Sequence, residues 1–534
     1  MPSSLSQPLR KLLSPNLLAA LLGLGLVVVL EAALQLLDVG PSNRLFEESI
    51  QDGEAVYAVN PQVAHRFFTP QYRRQFSSES SFSQKKPPDT VRIFALGAST
   101  LLGFPNPLNT SFPHFLGRML EDVYPAKRFQ VLNCGITGIN TFCLLDFTHE
   151  IVEYEPDLIL LYSGHNEYLG PYGVTTPFNR LGNNRTWIRF YMYLQRSKIY
   201  YCLRELPYRL QQWWRPPSAE EHFGLHLFDH EIGALDEGHR TTRENYRQNL
   251  EEMLQSAHQH RVPVLLSTLV SNLQFYPFRS ECDVAGLSRK LVALDRQGRL
   301  LEAVAVCEEA LNQAPHCANI HFELGRLHYR GKEYEKAHQA FVRARDLDRL
   351  PFRAPTAFNQ IIRDLAGRAR GPVLLSDAAG TVAAASLHGI VGNELITEYL
   401  HPTVYGHYLI ARNMVADLAH SPVGASWGKA DTSGIKTYED YTRQLGYSLL
   451  DQVVHRTGLM LFLCKMPYKE PPLLLRRHVA ALMHQQIGDI QHLETAQRQK
   501  FAQRQVMAAL FGMLDFLPPG DRRTLAELLK NLDH

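Results

Sequence analysis

The stretch VRIFALGAST, residues 91–100, is a short apolar run that ends on Gly97-Ala98-Ser99-Thr100. Runs of this length and character suit a strand covered on both faces, as in a parallel sheet. A glycine and a hydroxyl residue at its carboxyl end place a reactive side chain on the loops where such sheets bind ligands. Working outward, four further apolar runs follow, at 129–133, 158–163, 262–270 and 373–376. Segments of helical character separate them, at 112–123, 142–154 and 244–258. In the last of these Tyr246, Leu250, Met253, Leu254 and Ala257 keep helical spacing. This alternation predicts an α/β fold, a three-layer parallel sheet running over residues 91–282 and 351–425.

At 534 residues the chain exceeds one ordinary domain, so several units are expected. Lys plus Arg (55) balances Asp plus Glu (53), which leaves no global field to draw the chain to nucleic acid. Seven scattered cysteines without a C-x-x-C argue against both a disulfide framework and a structural zinc site; they read as mostly buried small hydrophobes.

Near the amino terminus, Arg10 and Lys11 precede an apolar run over 17–37 that is interrupted only by Glu31 and Gln35. It is long enough to span a bilayer, and no small-x-small cleavage site follows it. Residues 1–40 therefore read as a cytoplasmic tail and an uncleaved transmembrane anchor, and 41–90 as a linker. The positive-inside rule sends the remainder across the membrane, giving a single-pass protein with an extracytoplasmic body. Glu31 either pairs with a partner helix or snorkels to the interface, and the second reading is preferred.

Over 283–350 the periodicity is wholly helical and repeats every 34 residues. Ala303 and Ala310 recur as Ala337 and Ala344, Cys307 corresponds to Phe341, and Pro315 closes the first copy. With Leu324-Gly325 at the head of the second copy, these residues resemble the tetratricopeptide repeat, as a pair of helix hairpins. His321 stands where that family places an aromatic residue, and Arg349 stands where it places a proline. Two hairpins rarely stand alone, so they are expected to dock on the sheet domain or on the helical carboxyl-terminal region, 426–534. They offer either a surface for a protein partner or a spacer.

Four motifs occur in order at the ends of successive elements: Gly97-Ala98-Ser99, Asn133-Cys134-Gly135, Gly164-His165-Asn166-Glu167 and Glu398-Tyr399-Leu400-His401. Together they resemble the SGNH (GDSL-type) hydrolases, over about residues 92–419. The resemblance implies that Ser99 is the nucleophile, His401 its general base, and Glu398 the acid that orients the imidazole. The backbone N–H groups of Ser99 and Gly135 and the Asn166 amide would form the oxyanion hole. Ala98 stands where the family has Asp, and Glu398 is one methylene longer than the usual Asp.

The chemistry so implied is ester hydrolysis through an acyl-serine, on an acylated envelope glycan or lipid, with no metal or organic cofactor. Two alternatives remain open. One is an acyltransferase that uses the same triad on a sugar hydroxyl, and the other is an assembly scaffold built on the repeats. His222, His226 and His230 fall four residues apart, but Gly224 argues against one continuous helix and no metal is expected there. The stretch 187–215 interleaves nine aromatic residues with six basic ones and a single acid. That composition suits a membrane interface, an aromatic acyl-binding wall or a packed helix pair.

Overall fold

The computed structural model describes residues 15–70, 77–176, 183–214, 230–282, 284–466, 468, 472–493 and 509–533. Arg10, Lys11, His222 and His226 lie outside them. Helix α1 (Pro15–Leu36) is long and apolar enough to cross a membrane, and none of its residues is buried.

Strands β1 (Phe46–Gln51) and β2 (Glu54–Val59) form an antiparallel hairpin that β3 (Ser81–Ser83) joins. The expected linker is therefore a three-stranded sheet. Asp52 and Gly53 turn the hairpin at φ +51° and +83°, the conformation that Asp-Gly pairs favour in two-residue turns. Phe46, Val59 and Phe82 on one face are buried in the main core, while Glu47, Glu48 and Gln51 face water.

The main sheet begins with β4 (Thr90–Gly97), buried along its whole length, and continues through α2 (Ser99–Leu102), α3 (Phe112–Val123) and β5 (Arg128–Asn133). Helix α4 (Thr141–Ile151) and β6 (Leu158–Tyr162) follow. Next come α5 (Arg185–Leu194), α6 (Lys198–Trp214), α7 (Gly238–Gln259) and β7 (Val264–Ser267). The repeats supply α8 (Ala285–Arg296), α9 (Leu300–Gln313), α10 (Ala318–Arg330) and α11 (Tyr334–Asp346). The chain then returns to the sheet with α12 (Thr356–Arg368), β8 (Val373–Ser376), α13 (Ala378–Ala385) and α14 (Val404–Ala419). It ends in α15 (Pro422–Trp427), α16 (Tyr438–Gln444), α17 (Leu449–Cys464), α18 (Leu473–His492) and α19 (Pro519–Asp533).

The five strands are all parallel in the order β5-β4-β6-β7-β8. The strand order reverses at β4, so a crevice opens beyond its carboxyl end, between β5 and β6. Helices pack in two groups, α3 with α14 and α4 with α7 and α12. Every expected strand is present; the third ends one residue short of its apolar run, and the fourth is markedly shorter than its own.

The repeats form two hairpins, as their period predicts. Gly325 is required where α10 crosses α11 within the second hairpin, because a Cβ there would lie 2.7 Å from the Phe341 ring. A small core of Phe322, Ala337, Phe341 and Ala344 with Leu273 and Ile390 joins them to the sheet domain. One cysteine expectation is overturned: Cys282, just ahead of the repeats, is disulfide-bonded to Cys317, which precedes α10, with a Cα separation of 5.7 Å. The two lie 35 residues apart in sequence, and only the folded hairpin brings them together. Helices α16–α19 share the main core through Tyr441, Val453, Met460, Met483 and Leu525.

Candidate active site

Ser99 opens α2 directly beyond β4, at the switch point of the sheet. A Cβ at Gly97 would stand 2.5 Å from the Tyr162 carbonyl, so the strand-to-helix turn requires glycine there. Ser99 is the first residue of a helical turn, where N–H groups have no intrahelical acceptor, and its hydroxyl is half-buried.

His401 reaches the serine from the other side of the crevice, across 302 residues of sequence, and its Nε2 is 2.8 Å from Ser99 Oγ. Its Nδ1 is hydrogen-bonded to Glu398 Oε1. The longer acid reaches the imidazole by folding back over its own turn. Oε1 also accepts from the His401 backbone N–H at 3.1 Å, and Oε2 accepts from the Tyr399 N–H. Three donors converge on a fully buried carboxylate, which offsets the cost of burying it.

The loop is tied closed where Thr397 N–H and Oγ1 both donate to the His401 carbonyl, at 2.8 and 2.9 Å. Asn272, beyond β7, holds it from beneath through the Ile396 and Tyr399 carbonyls. The amino-terminal cap of α14 is Thr403, whose hydroxyl accepts from the Gly406 N–H, so capping is not the role of His401.

The expected oxyanion donors fare unequally. Asn166 is buried beyond β6, and its Nδ2 donates to the Ile139 carbonyl at 2.9 Å, leaving its second N–H for another acceptor. Gly135 is held where expected, and a Cβ there would collide with the Leu102 backbone at 2.6 Å. Its N–H, however, donates to the Asn133 side chain at 2.9 Å, and so is engaged within its own loop.

Neighbouring titratable groups are tied into the framework. His165 accepts from the Ala354 N–H at 3.1 Å, pinning the third motif to the segment that follows the repeats. Burial, aided by the nearby His401, pushes its pKa down to about 3. His407 on α14 is held down to about 3 in the same way and accepts from the Phe112 N–H. Burial pushes the Glu167 carboxyl up to about 7, against hydrogen bonds from the Thr141 N–H and hydroxyl that cap α4.

Three phenylalanines near the imidazole escaped the sequence reading. Phe104 lies 5.0 Å from the His401 ring, with Phe352 and Phe462 each 6.4 Å away, centroid to centroid. They come from the loop after α2, the segment after the repeats, and α17. The signal available for Phe104 was its place in Gly103-Phe104-Pro105-Asn106-Pro107, an irregular loop directly behind the serine. Asn106 in that loop donates to the Pro402 carbonyl at 2.8 Å, joining the loop of Ser99 to that of His401. Among the described residues no group of three or more His, Cys, Asp or Glu side chains is disposed to hold a metal ion.

Residues 296–351 match the family model of the tetratricopeptide repeat, which covers the hairpins from the end of α8 onward. No curated protein matches the chain. Among solved structures it is similar to the acetylxylan esterase Axe2 of Geobacillus stearothermophilus, at 12% identity over 63% of this chain and 95% of that one, with a TM-score of 0.28. A catalytic mutant of the same esterase covers 64% of this chain and 98% of its own, also at 12% identity and a TM-score of 0.28. Scores this low carry no argument about chemistry, which rests on the geometry of Ser99, His401 and Glu398.

Proposed function

We propose that the chain is a membrane-anchored serine esterase or deacylase that works through an acyl-serine intermediate on an acylated envelope glycan or lipid. One observation carries the reading: the Ser99 hydroxyl, the His401 imidazole and the Glu398 carboxylate form an unbroken hydrogen-bonded chain at the switch point of a parallel sheet. In the reaction, Ser99 Oγ attacks the ester carbonyl as His401 Nε2 takes its proton. Glu398 keeps the proton on Nδ1, so that Nε2 is free to accept, and stabilises the imidazolium that forms. The negative charge on the carbonyl oxygen is met by the Ser99 N–H and the free N–H of Asn166. The imidazolium then protonates the departing alcohol, and a water activated by the same base releases the acid and restores the serine.

Two features support an anchored, extracytoplasmic enzyme. Helix α1 exposes leucine and valine around its whole circumference, and the Cys282–Cys317 disulfide is of the kind that persists in oxidising compartments. An envelope substrate follows from that placement. The test is turnover of nitrophenyl acetate by the full chain: Ser99→Ala is expected to abolish it while leaving the protein folded. Full turnover by that variant, freed of contaminating esterase, would overturn the assignment.

A further inference from the structure

Helices α5 and α6 violate the usual partition of apolar residues. On α6, Leu203, Leu206, Leu210 and Trp213 recur at i, i+3, i+7 and i+10, a single helical stripe, and their exposure runs from 51% at Leu210 to 79% at Trp213. On α5, Trp187, Phe190 and Tyr193 are likewise more than half exposed. An apolar patch of this kind on a chain otherwise well packed marks a surface that something covers.

What covers it is indicated by its attachment. The Glu31 carboxylate, on α1, accepts from Ser197 Oγ at 2.7 Å, the Lys198 N–H at 2.8 Å and the Ile199 N–H at 3.0 Å. It thereby caps the amino terminus of a 17-residue helix, where a negative charge is favoured. Lys198 Nζ donates in return to the Pro41 carbonyl at 2.9 Å, and the Asn43 amide donates to the Arg196 carbonyl at 2.8 Å. Tyr201 packs on Gly40 so closely that a Cβ there would lie 2.4 Å from its ring. Glu31 is thus neither a snorkelling acid nor a link to another protein, since its partner helix lies in the same chain.

This attachment fixes a depth. Glu31 stands five residues before the end of α1, or ~8 Å along the helix axis. An apolar run that starts at Leu17 and fills a hydrocarbon core of ~30 Å ends at about that terminus. The amino end of α6 therefore sits where in-plane amphipathic helices lie, ~5–10 Å into the boundary of headgroups and acyl chains. The stretch 187–215 has six basic residues to one acid, but Arg189 pairs with Glu252, Arg196 with Asp146, and Lys198 and Arg204 with backbone carbonyls, so the apolar stripe and not the charge carries the fit to lipid.

We propose that α5 and α6 form a membrane-docking surface that lies in the plane of the phospholipid bilayer, with the Leu203-Leu206-Leu210-Trp213 stripe and Trp187, Phe190 and Tyr193 in lipid and Glu31 fastening it to the span. The inference rests on α1 being a membrane anchor. Three of the four tryptophans, Trp187, Trp213 and Trp214, lie in this segment, and the fourth, Trp427, is buried against Tyr124 and Phe129. The full chain is reconstituted into vesicles of equal parts phosphatidylcholine and phosphatidylglycerol, with lipid brominated near the carbonyl end of the acyl chain. Its tryptophan emission is compared with that of a Trp187→Phe, Trp213→Phe, Trp214→Phe variant.

The expected result is emission lost to bromolipid and protected from aqueous iodide, with the loss absent in the triple variant. Glu31→Gln is expected to keep co-flotation with the vesicles but to weaken the bromolipid quenching. Quenching by iodide and not by bromolipid, in protein that co-floats, would overturn the docking surface and leave the anchor standing. Protection from both quenchers would assign the surface to a second copy or another protein and would equally overturn it. Failure of the wild-type chain to co-float would overturn the anchor and the docking together, whatever the esterase activity.

Discussion

The crevice beyond β4 and the α1–α6 junction depart from ordinary burial in opposite directions. At the crevice, ionisable groups are buried: Glu398, His401, His165 and Glu167 are all in the interior, and each is held by named hydrogen bonds. At the junction, leucine and tryptophan are exposed on α6, and one carboxylate from α1 caps that helix. A folded chain tolerates such departures where they serve something other than stability. Buried charge held by named partners and exposed apolar surface call for different explanations, so polarity out of place is informative only together with its sign and its tethers.

The comparison breaks first, and with the largest effect, at the crevice. His401→Ala is expected to lower kcat by at least about 10³-fold, since Ser99 loses its base, and single-turnover acylation would show the loss in the first step. Asn166→Ala should lower kcat by about 10²- to 10³-fold with a smaller change in KM, because its bond to the oxyanion strengthens in the transition state. If instead Asn166→Ala raised only KM, its amide would be holding substrate and not charge.

Effects on stability are smaller. Gly325→Val would press a side chain into the Phe341 ring and is expected to cost about 1–3 kcal/mol, read as a lowered urea midpoint. Unchanged stability would mean that α10 and α11 do not cross closely. A pH effect at Glu167 is also expected. The folded chain holds on this carboxyl, at about 7, a proton that the unfolded chain releases near 4.5. Its contribution therefore turns increasingly unfavourable as pH rises through that window. Glu167→Gln, which cannot ionise, should show a urea midpoint that falls less than the wild type's between those pH values; parallel profiles would mean that Glu167 titrates normally.

Much of this was legible because it follows from short sequence. Fully buried parallel strands are continuous apolar runs, and β4, β5, β6 and β8 were readable within a residue or so at each end. Ser99 and Asn166 follow such strands, and Glu398 and His401 precede the last helix of the sheet domain, so their order in sequence already implied one crevice. The hairpin of β1 and β2 was missed although Asp52-Gly53 announces its turn, because the exposed Glu47, Glu48, Gln51 and Glu54 gave it the composition of a linker.

The Cys282–Cys317 bond and the approach of Phe462 to His401 depend on how helices pack across long separations, which no local pattern encodes. The orientation of the Gly135 N–H toward Asn133 is a matter of one loop's hydrogen bonding, finer than a motif can specify. Glu31 illustrates the same limit, since its place near the end of an apolar run was plain and its partner, the start of α6, was not.

The most direct measurement is the site of covalent capture. The full chain is treated with a fluorophosphonate and digested, and the modified peptide is sequenced by mass spectrometry. The account predicts phosphonylation of Ser99, abolished by Ser99→Ala and greatly slowed by His401→Ala. Modification of a different serine with Ser99 untouched, or capture at an unchanged rate without His401, would contradict it.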